Sequence, residues 1–182
     1  LQDLERTYII RTLQGISHTK SLRMTFLSGA VNACGAGLVH DPAHPSDHKT
    51  MYQLITSALV NAPAPNYVMK LLHNNKQLYV PLNGHRSAGN TPSDTKEDMM
   101  EIFASDVTGQ PRELRRLMNR RNYLACVIYD PESLQGAFSS PGAPQGAGKL
   151  SLAADFMVQS EGAFGQPLKY GPVIIPSLEY GR

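Results

Sequence analysis

The alternation of apolar and polar positions divides the chain into short elements. Over residues 1–17, Leu1, Leu4, Tyr8, Leu13 and Ile16 share one broad helical face, which predicts an amphipathic helix weakened at its end by Gly15 and Ser17. An apolar run over 22–28, β-rich at Met24-Thr25-Phe26-Leu27, predicts a short buried strand. It ends in Ser28-Gly29, and a tight turn then leads into the small-residue segment Cys34-Gly35-Ala36-Gly37. A buried strand that releases the chain at its C-terminal end is how an α/β sheet presents a site. Residues 50–60 alternate in a way that suits a strand, and a helical period fits them as well. Asn61-Ala62-Pro63-Ala64-Pro65 stops that segment, and Pro65 opens a helix over 66–74 with Val68, Leu71 and Leu72 apolar.

Residues 76–92 read as a loop. Asp94 and Glu97 have the spacing of a capping box, which predicts a helix to about Phe103 with Met99, Met100 and Phe103 inward. After a turn over 106–110, Pro111 opens a helix over 112–119 that buries Leu114, Leu117 and Met118. Residues 122–130 are apolar on both faces and predict a central strand. The Gly- and Pro-rich stretch 131–148 reads as a mobile loop, 150–159 as an alternating strand, and Val173-Ile174-Ile175 as a short extended segment. There are no internal repeats. The pattern predicts an α/β (α+β) fold, a mixed sheet with flanking helices, in one domain over 1–182.

Composition narrows the partners. The chain has 182 residues, 41% hydrophobic and 18% charged, with a net charge of +2. That balance supports a real core and gives no electrostatic reason for nucleic acid or an anionic membrane as the main partner. No apolar run reaches the ~20 residues of a membrane span, and the charged, amphipathic start Leu1-Gln2-Asp3-Leu4-Glu5-Arg6 is unlike a signal peptide. A cytoplasmic location is expected. The start without Met fits either a processed product or a part of something longer. Cys34 and Cys126 sit in apolar, strand-like settings and read as two buried free thiols, with a disulfide between them left open.

Several constellations carry candidate chemistry. His40, Asp41, His44, Asp47 and His48 are dense enough for Zn²⁺, but Pro42 and Pro45 break any helical pairing of His44 with His48, so a polar surface loop is the expectation. Arg112, Arg115, Arg116, Arg120 and Arg121 form a basic stripe that, on a helix, could grip phosphate, RNA or an acidic protein surface. No aromatic residues interleave it for base stacking, and a solvated helix face is the blander reading. Gly29, Gly35 and Gly37 are not a phosphate loop, because no Gly-Lys-Ser/Thr follows. Ser28 and Ser57 have no evident His/Asp partners for nucleophilic catalysis.

Thr25-Phe26-Leu27-Ser28-Gly29, Val31 and the Cys34–Gly37 segment resemble the PhoD-like metallophosphatases, in particular their fungal branch. The block from Asp47 to Pro63, Arg120-Arg121-Asn122-Tyr123 entering a strand, and Tyr170-Gly171-Pro172-Val173-Ile174-Ile175-Pro176 are similar to the same branch, in the same order. The resemblance implies part of a calcineurin-like sandwich, the C-terminal portion of an enzyme that hydrolyses phosphate esters with paired metals. It also implies that a Ser-Gly-Asp-Val-His motif has Ala30 and Asn32 at its Asp and His positions. Ala offers no metal ligand, and Asn offers only a weak one. The expectation is therefore a module that is not an enzyme: no cofactor, no metal at Ala30 and Asn32, and a structural or interaction role. It would be a homo-oligomer or a subunit or surface component of a larger assembly, a viral or cellular particle included. The alternatives are a metal-dependent phosphatase or phosphodiesterase whose other half comes from another chain, and an anion- or RNA-contacting module working through the arginines.

Overall fold

The structure is a computed structural model that describes residues 2–30, 33–74, 78–82, 91–129, 151–162 and 165–178. It is mixed α+β, with two helices and two sheets. In chain order the elements are α1 (Gln2–Lys20), β1 (Thr25–Ala30), β2 (Cys34–His40), β3 (Met51–Ser57), α2 (Asn66–His73), β4 (Leu78–Tyr79), β5 (Lys96–Met99), β6 (Leu117–Met118), β7 (Asn122–Tyr129), β8 (Ser151–Val158) and β9 (Leu168–Ile175).

The larger sheet runs β1-β3-β2-β5-β4, with β6 also on β2. Strands β1 and β3 are parallel, in a register that sets Leu27 beside Leu54 and Ala30 beside Ser57. Strand β2 is antiparallel to β3; its other edge takes β6 at Cys34 and Gly35 and β5 from Gly37 to His40. The smaller sheet is antiparallel, β7-β8-β9, with an irregularity between Ala154 and Phe156.

The two sheets face each other across the main core. Cys34, Ala36, Leu54, Phe103 and Met118 from the larger sheet and its loops meet Ala154, Phe156, Val158, Val173 and Ile175 from β8 and β9. Phe103 and Phe156 meet edge to face, with ring centroids 5.9 Å apart, a favoured aromatic geometry. The helices lie on the other face of the larger sheet. Ile10 of α1 packs with Met51 and Val80, and Met69 of α2 packs with Ala33 and Ala64.

Several sequence expectations change. The helix expected over 94–103 is β5 followed by loop, because the residues of the apparent capping box are taken by distant partners. The Asp94 carboxylate pairs with Arg11 at 2.9 Å and Lys49 at 3.2 Å, and Glu97 pairs with Arg6. The helix expected over 112–119 is also absent. The Arg112 guanidinium donates to the carbonyls of Leu114 (3.3 Å) and Leu117 (3.1 Å), and Phe103 N–H donates to the Arg115 carbonyl, so this backbone is satisfied without helical bonds. The small-residue segment after β1 is itself a strand, β2. A Cβ on Gly35 would stand 2.7 Å from Leu117 Cδ2 and 2.9 Å from the Arg116 carbonyl oxygen, so Gly is what lets β6 approach.

Strand β7, expected to be central, pairs only with β8 among the described residues, and Tyr123, Val127 and Ile128 are exposed. Cys126 is exposed with them, while Cys34 is buried; both are free thiols. Of its expected face, helix α1 packs Leu13 inward, partly buried against Ile10, Met51 and Val80, but not the rest. Thr7, Ile10, Gln14 and Ser17 point inward, and Leu4, Tyr8 and Ile16 are exposed. Its docking is polar: Arg11 donates to the Val80 and Pro81 carbonyls, and Gln14 to Thr95 Oγ1 and the Lys49 carbonyl. The 131–148 loop lies outside the described residues.

Candidate functional site

The C-terminal ends of β1 and β3 open at the same place, since the strands run parallel and end together at Ala30 and Ser57. The last paired residues of β2 and β3 are Gly35 and Ile55, so Ser57 lies beyond that ladder. Its N–H donates instead to Asn122 Oδ1 at 3.2 Å. The Asn122 amide donates to Ser57 Oγ at 2.6 Å and to the Arg120 carbonyl at 2.8 Å, and Ser57 Oγ donates to that same carbonyl at 3.2 Å. Asn122 is 2% exposed and its side chain is paired at both ends, as a buried amide requires. This knot joins the larger sheet to the first residue of β7.

The loop after β3 is tied to the same segment. Arg121 Nε donates to the carbonyls of Val60 and Asn61, and the Asn119 amide donates to the Ala64 carbonyl and to Asn66 Oδ1 at the start of α2. Residues 57–66 and 119–122, far apart in sequence, thus form one braced surface at the end of β1. Tyr170–Pro176 works elsewhere. Tyr170 packs on Phe103 at 5.3 Å, and the Pro176 carbonyl accepts from Arg23, just before β1 begins.

Ala30 is the last residue of β1, and Asn32 lies outside the described residues. The arginines do not form a helix face. Arg112 and Arg121 brace backbone carbonyls, and burial lowers the pKa of Arg112. Arg115 is exposed and donates to the Arg112 carbonyl. Arg116 lies 3.7 Å from Glu101 and lines the groove between the helices. Arg120 contributes its carbonyl to the knot, and its charge helps to hold the Asp106 carboxyl low, behind the larger effect of the Thr108 N–H.

The histidines are also dispersed. His40 Nε2 lies 3.6 Å from Asp98, and His48 packs edge-on against His18 at 4.5 Å between centroids. Burial is the main reason the His48 pKa is lowered. Among the described residues, His44 alone of the histidines joins a cluster of three possible ligands: ligand atoms of Asp41, His44 and Asp47 lie within 4.8 Å of one another. A cation is already there. Lys49 Nζ lies 2.6 Å from Asp41 Oδ2, and the Lys49 N–H donates to Asp47 Oδ1. The Lys49 hydrogen bond is the largest cause holding Asp41 at a pKa of about 2. A metal would have to displace that ammonium, so the cluster reads as an ion-paired loop. Neither it nor Ala30 fits the paired-metal set the resemblance implies.

The site is a parallel strand pair ending in a braced, polar knot and backed by a second sheet, and in α/β sheets ligands bind outside the carboxyl ends of parallel strands. The family described as PhoD related phosphatase matches residues 1–182, and the chain belongs to that family. An uncharacterized protein of Saccharomyces cerevisiae is 28% identical over 141 residues, which cover 65% of this chain and 19% of the yeast protein. The match thus spans about a fifth of that relative's length. No solved structure matches the chain. The family assignment overturns the expectation that the chain is not an enzyme, because the whole chain is matched by phosphatases. That expectation rested on Ala30 and Asn32, the two positions that the resemblance implies as metal ligands.

Ser57 and Asn122 were missed as site residues. The available signal was a lone carboxamide opening an otherwise apolar strand, where only a paired polar group is tolerated.

Proposed function

We propose that this chain is a working part of a phosphatase acting on phosphate esters, and that its share of the site is the braced surface at the ends of β1 and β3. The observation that carries the reading is the family match over 1–182. The geometry supports it: the end of the 47–63 block and the 120–123 block, both of which resemble the PhoD-like enzymes, come together at the strand end where Ala30 lies. Ser57 and Asn122 hold that end, and Arg121 fixes the loop beside it. Their role is positioning, which matters because a small misplacement of reacting groups costs large factors in rate.

The test is hydrolysis of para-nitrophenyl phosphate and bis-para-nitrophenyl phosphate by the protein carrying this chain, with Mn²⁺, Fe²⁺ or Zn²⁺ supplied. Turnover is expected, with Asn122→Ala lowering kcat at least tenfold and Asn122→Ser, which keeps a short hydrogen-bonding group, recovering part of it. A folded protein with no turnover on either ester would overturn the reading.

A further inference from the structure

Among the described residues, strand β1 is the outermost strand of the larger sheet, and nothing pairs with its free edge. Thr25-Phe26-Leu27-Ser28-Gly29-Ala30 has no charge and no proline, the usual devices that blunt an edge. Of the other edges, β4 has two residues and β9 carries Lys169 and Pro172, while β7 shares the lack of charge and proline but lies in the smaller sheet, away from the groove. Among the described residues, both faces of β1 are also left partly open. Leu27, beside fully buried Leu54, is 69% exposed, and Phe26 on the opposite face is 37% exposed. Parallel strands are normally covered on both faces.

The Phe26 face opens into a groove of about 1200 Å³ between α1 and α2. Its floor includes Ser28, Gln53 and Ile55, and its walls include Ile9 of α1 and Val68 and Leu72 of α2. Ile9 and Leu72 are exposed there. A strand added parallel to β1 needs a crossover connection, usually a helix lying on one face of the sheet. The open edge and the groove beside it are the two vacancies such a unit fills.

We infer that β1 and this groove are the docking surface for a strand–helix unit of further phosphatase polypeptide. The strand pairs parallel to β1, and the helix lies in the groove against Phe26, Ile9 and Leu72. The relative's length argues for this occupant over a second copy, since four-fifths of the yeast protein lies outside the match. The occupant's name rests on the phosphatase reading; the surface itself does not.

Tyr52 N–H donates to the Met24 carbonyl, so in the parallel ladder the N–H groups of Leu27 and Gly29 face outward. Amide exchange of these two residues is compared in the protein at its native length and in the 182-residue chain. Expected is at least a hundredfold slower exchange at native length. Leu27→Lys is expected to reverse that gain at least tenfold while leaving the unfolding midpoint of the 182-residue chain unchanged, because Leu27 is exposed in it. Equal exchange in the two proteins would overturn the inference. So would protection in the 182-residue chain that rises with concentration alongside a dimer mass, which would make the occupant a second copy. Phosphate release is scored separately: hydrolysis with an unprotected β1 removes only the docking surface, and protection without hydrolysis removes only the phosphatase reading.

Discussion

Replacing Asn122 by alanine should unfasten the larger sheet from β7. The side chain is buried and makes three hydrogen bonds, accepting from Ser57 N–H and donating to Ser57 Oγ and the Arg120 carbonyl. A neutral hydrogen bond contributes about 1 kcal/mol net, and an orphaned buried donor costs about 1–3 kcal/mol. The Arg120 carbonyl keeps the Ser57 hydroxyl, so it is not orphaned. Ser57 N–H is, since it lies beyond the β2 ladder. The sum predicts a loss of about 2–4 kcal/mol. With a urea slope of about 2 kcal/mol/M, the midpoint falls by about 1–2 M. Ser57→Ala removes the hydroxyl and keeps the N–H···Oδ1 bond, but it leaves one buried Asn122 N–H without its acceptor, and should cost about 1–3 kcal/mol. A double-mutant cycle of the two should return a coupling of about 1 kcal/mol. A loss below about 1 kcal/mol for Asn122→Ala, or no coupling, would refute the account of the knot.

Gly35→Ala should destabilise by about 1–3 kcal/mol in a denaturant titration, because its methyl would meet the Arg116 carbonyl and Leu117 at under 3 Å; a neutral substitution would mean β6 is not held against β2. The lowered Asp41 pKa makes a stabilising contribution that is present above the unfolded carboxyl value near 3.8 and is lost as pH falls through about 2. Lys49→Met should therefore flatten the stability–pH curve in that window, and an unchanged curve would show that the ammonium is not the partner that matters. An aromatic disulfide reagent should titrate one thiol in the native protein, exposed Cys126, and reach Cys34, buried and pushed up to about 12, only on denaturation. Two fast thiols in the native state would contradict the packing of β2.

The sequence made elements legible where local signals and tertiary partners agree. Helix α2 was expected over 66–74 and spans Asn66–His73, because Pro65 starts it and its apolar residues lie on one side. Strands β7 and β8 follow from β-branched, aromatic and alternating residues, and β3 resolves a segment whose pattern suited a strand and a helix alike. Misses came where a side chain that looks local is claimed from far away. Asp94 and Glu97 have capping spacing, yet Arg11, Lys49 and Arg6 hold them. Arg112 looks like a surface charge, yet it holds the carbonyls a helix would have used. Strand β2 was invisible because Gly and Ala carry little β preference, and the need for them is set by Leu117, some eighty positions away.

The same division explains the site. The strand end was legible, since an apolar run closing on Ser28-Gly29 is a local feature. Ser57 and Asn122 were not, because nothing within either segment says that the two meet. Pairing them sets Ala30 within a braced surface that β1 alone does not build. The hydrogen bonds hold the end of β3 to the start of β7 whatever residue stands at position 30, so the shape of the site and its ligand set are separable properties. The residues at the two positions that the resemblance implies as ligands, Ala30 and Asn32, therefore do not by themselves decide whether the family's reaction is carried out. What bears on that question is which groups are brought to the end of β1, and its bare edge and the groove beside it are where further polypeptide can bring them.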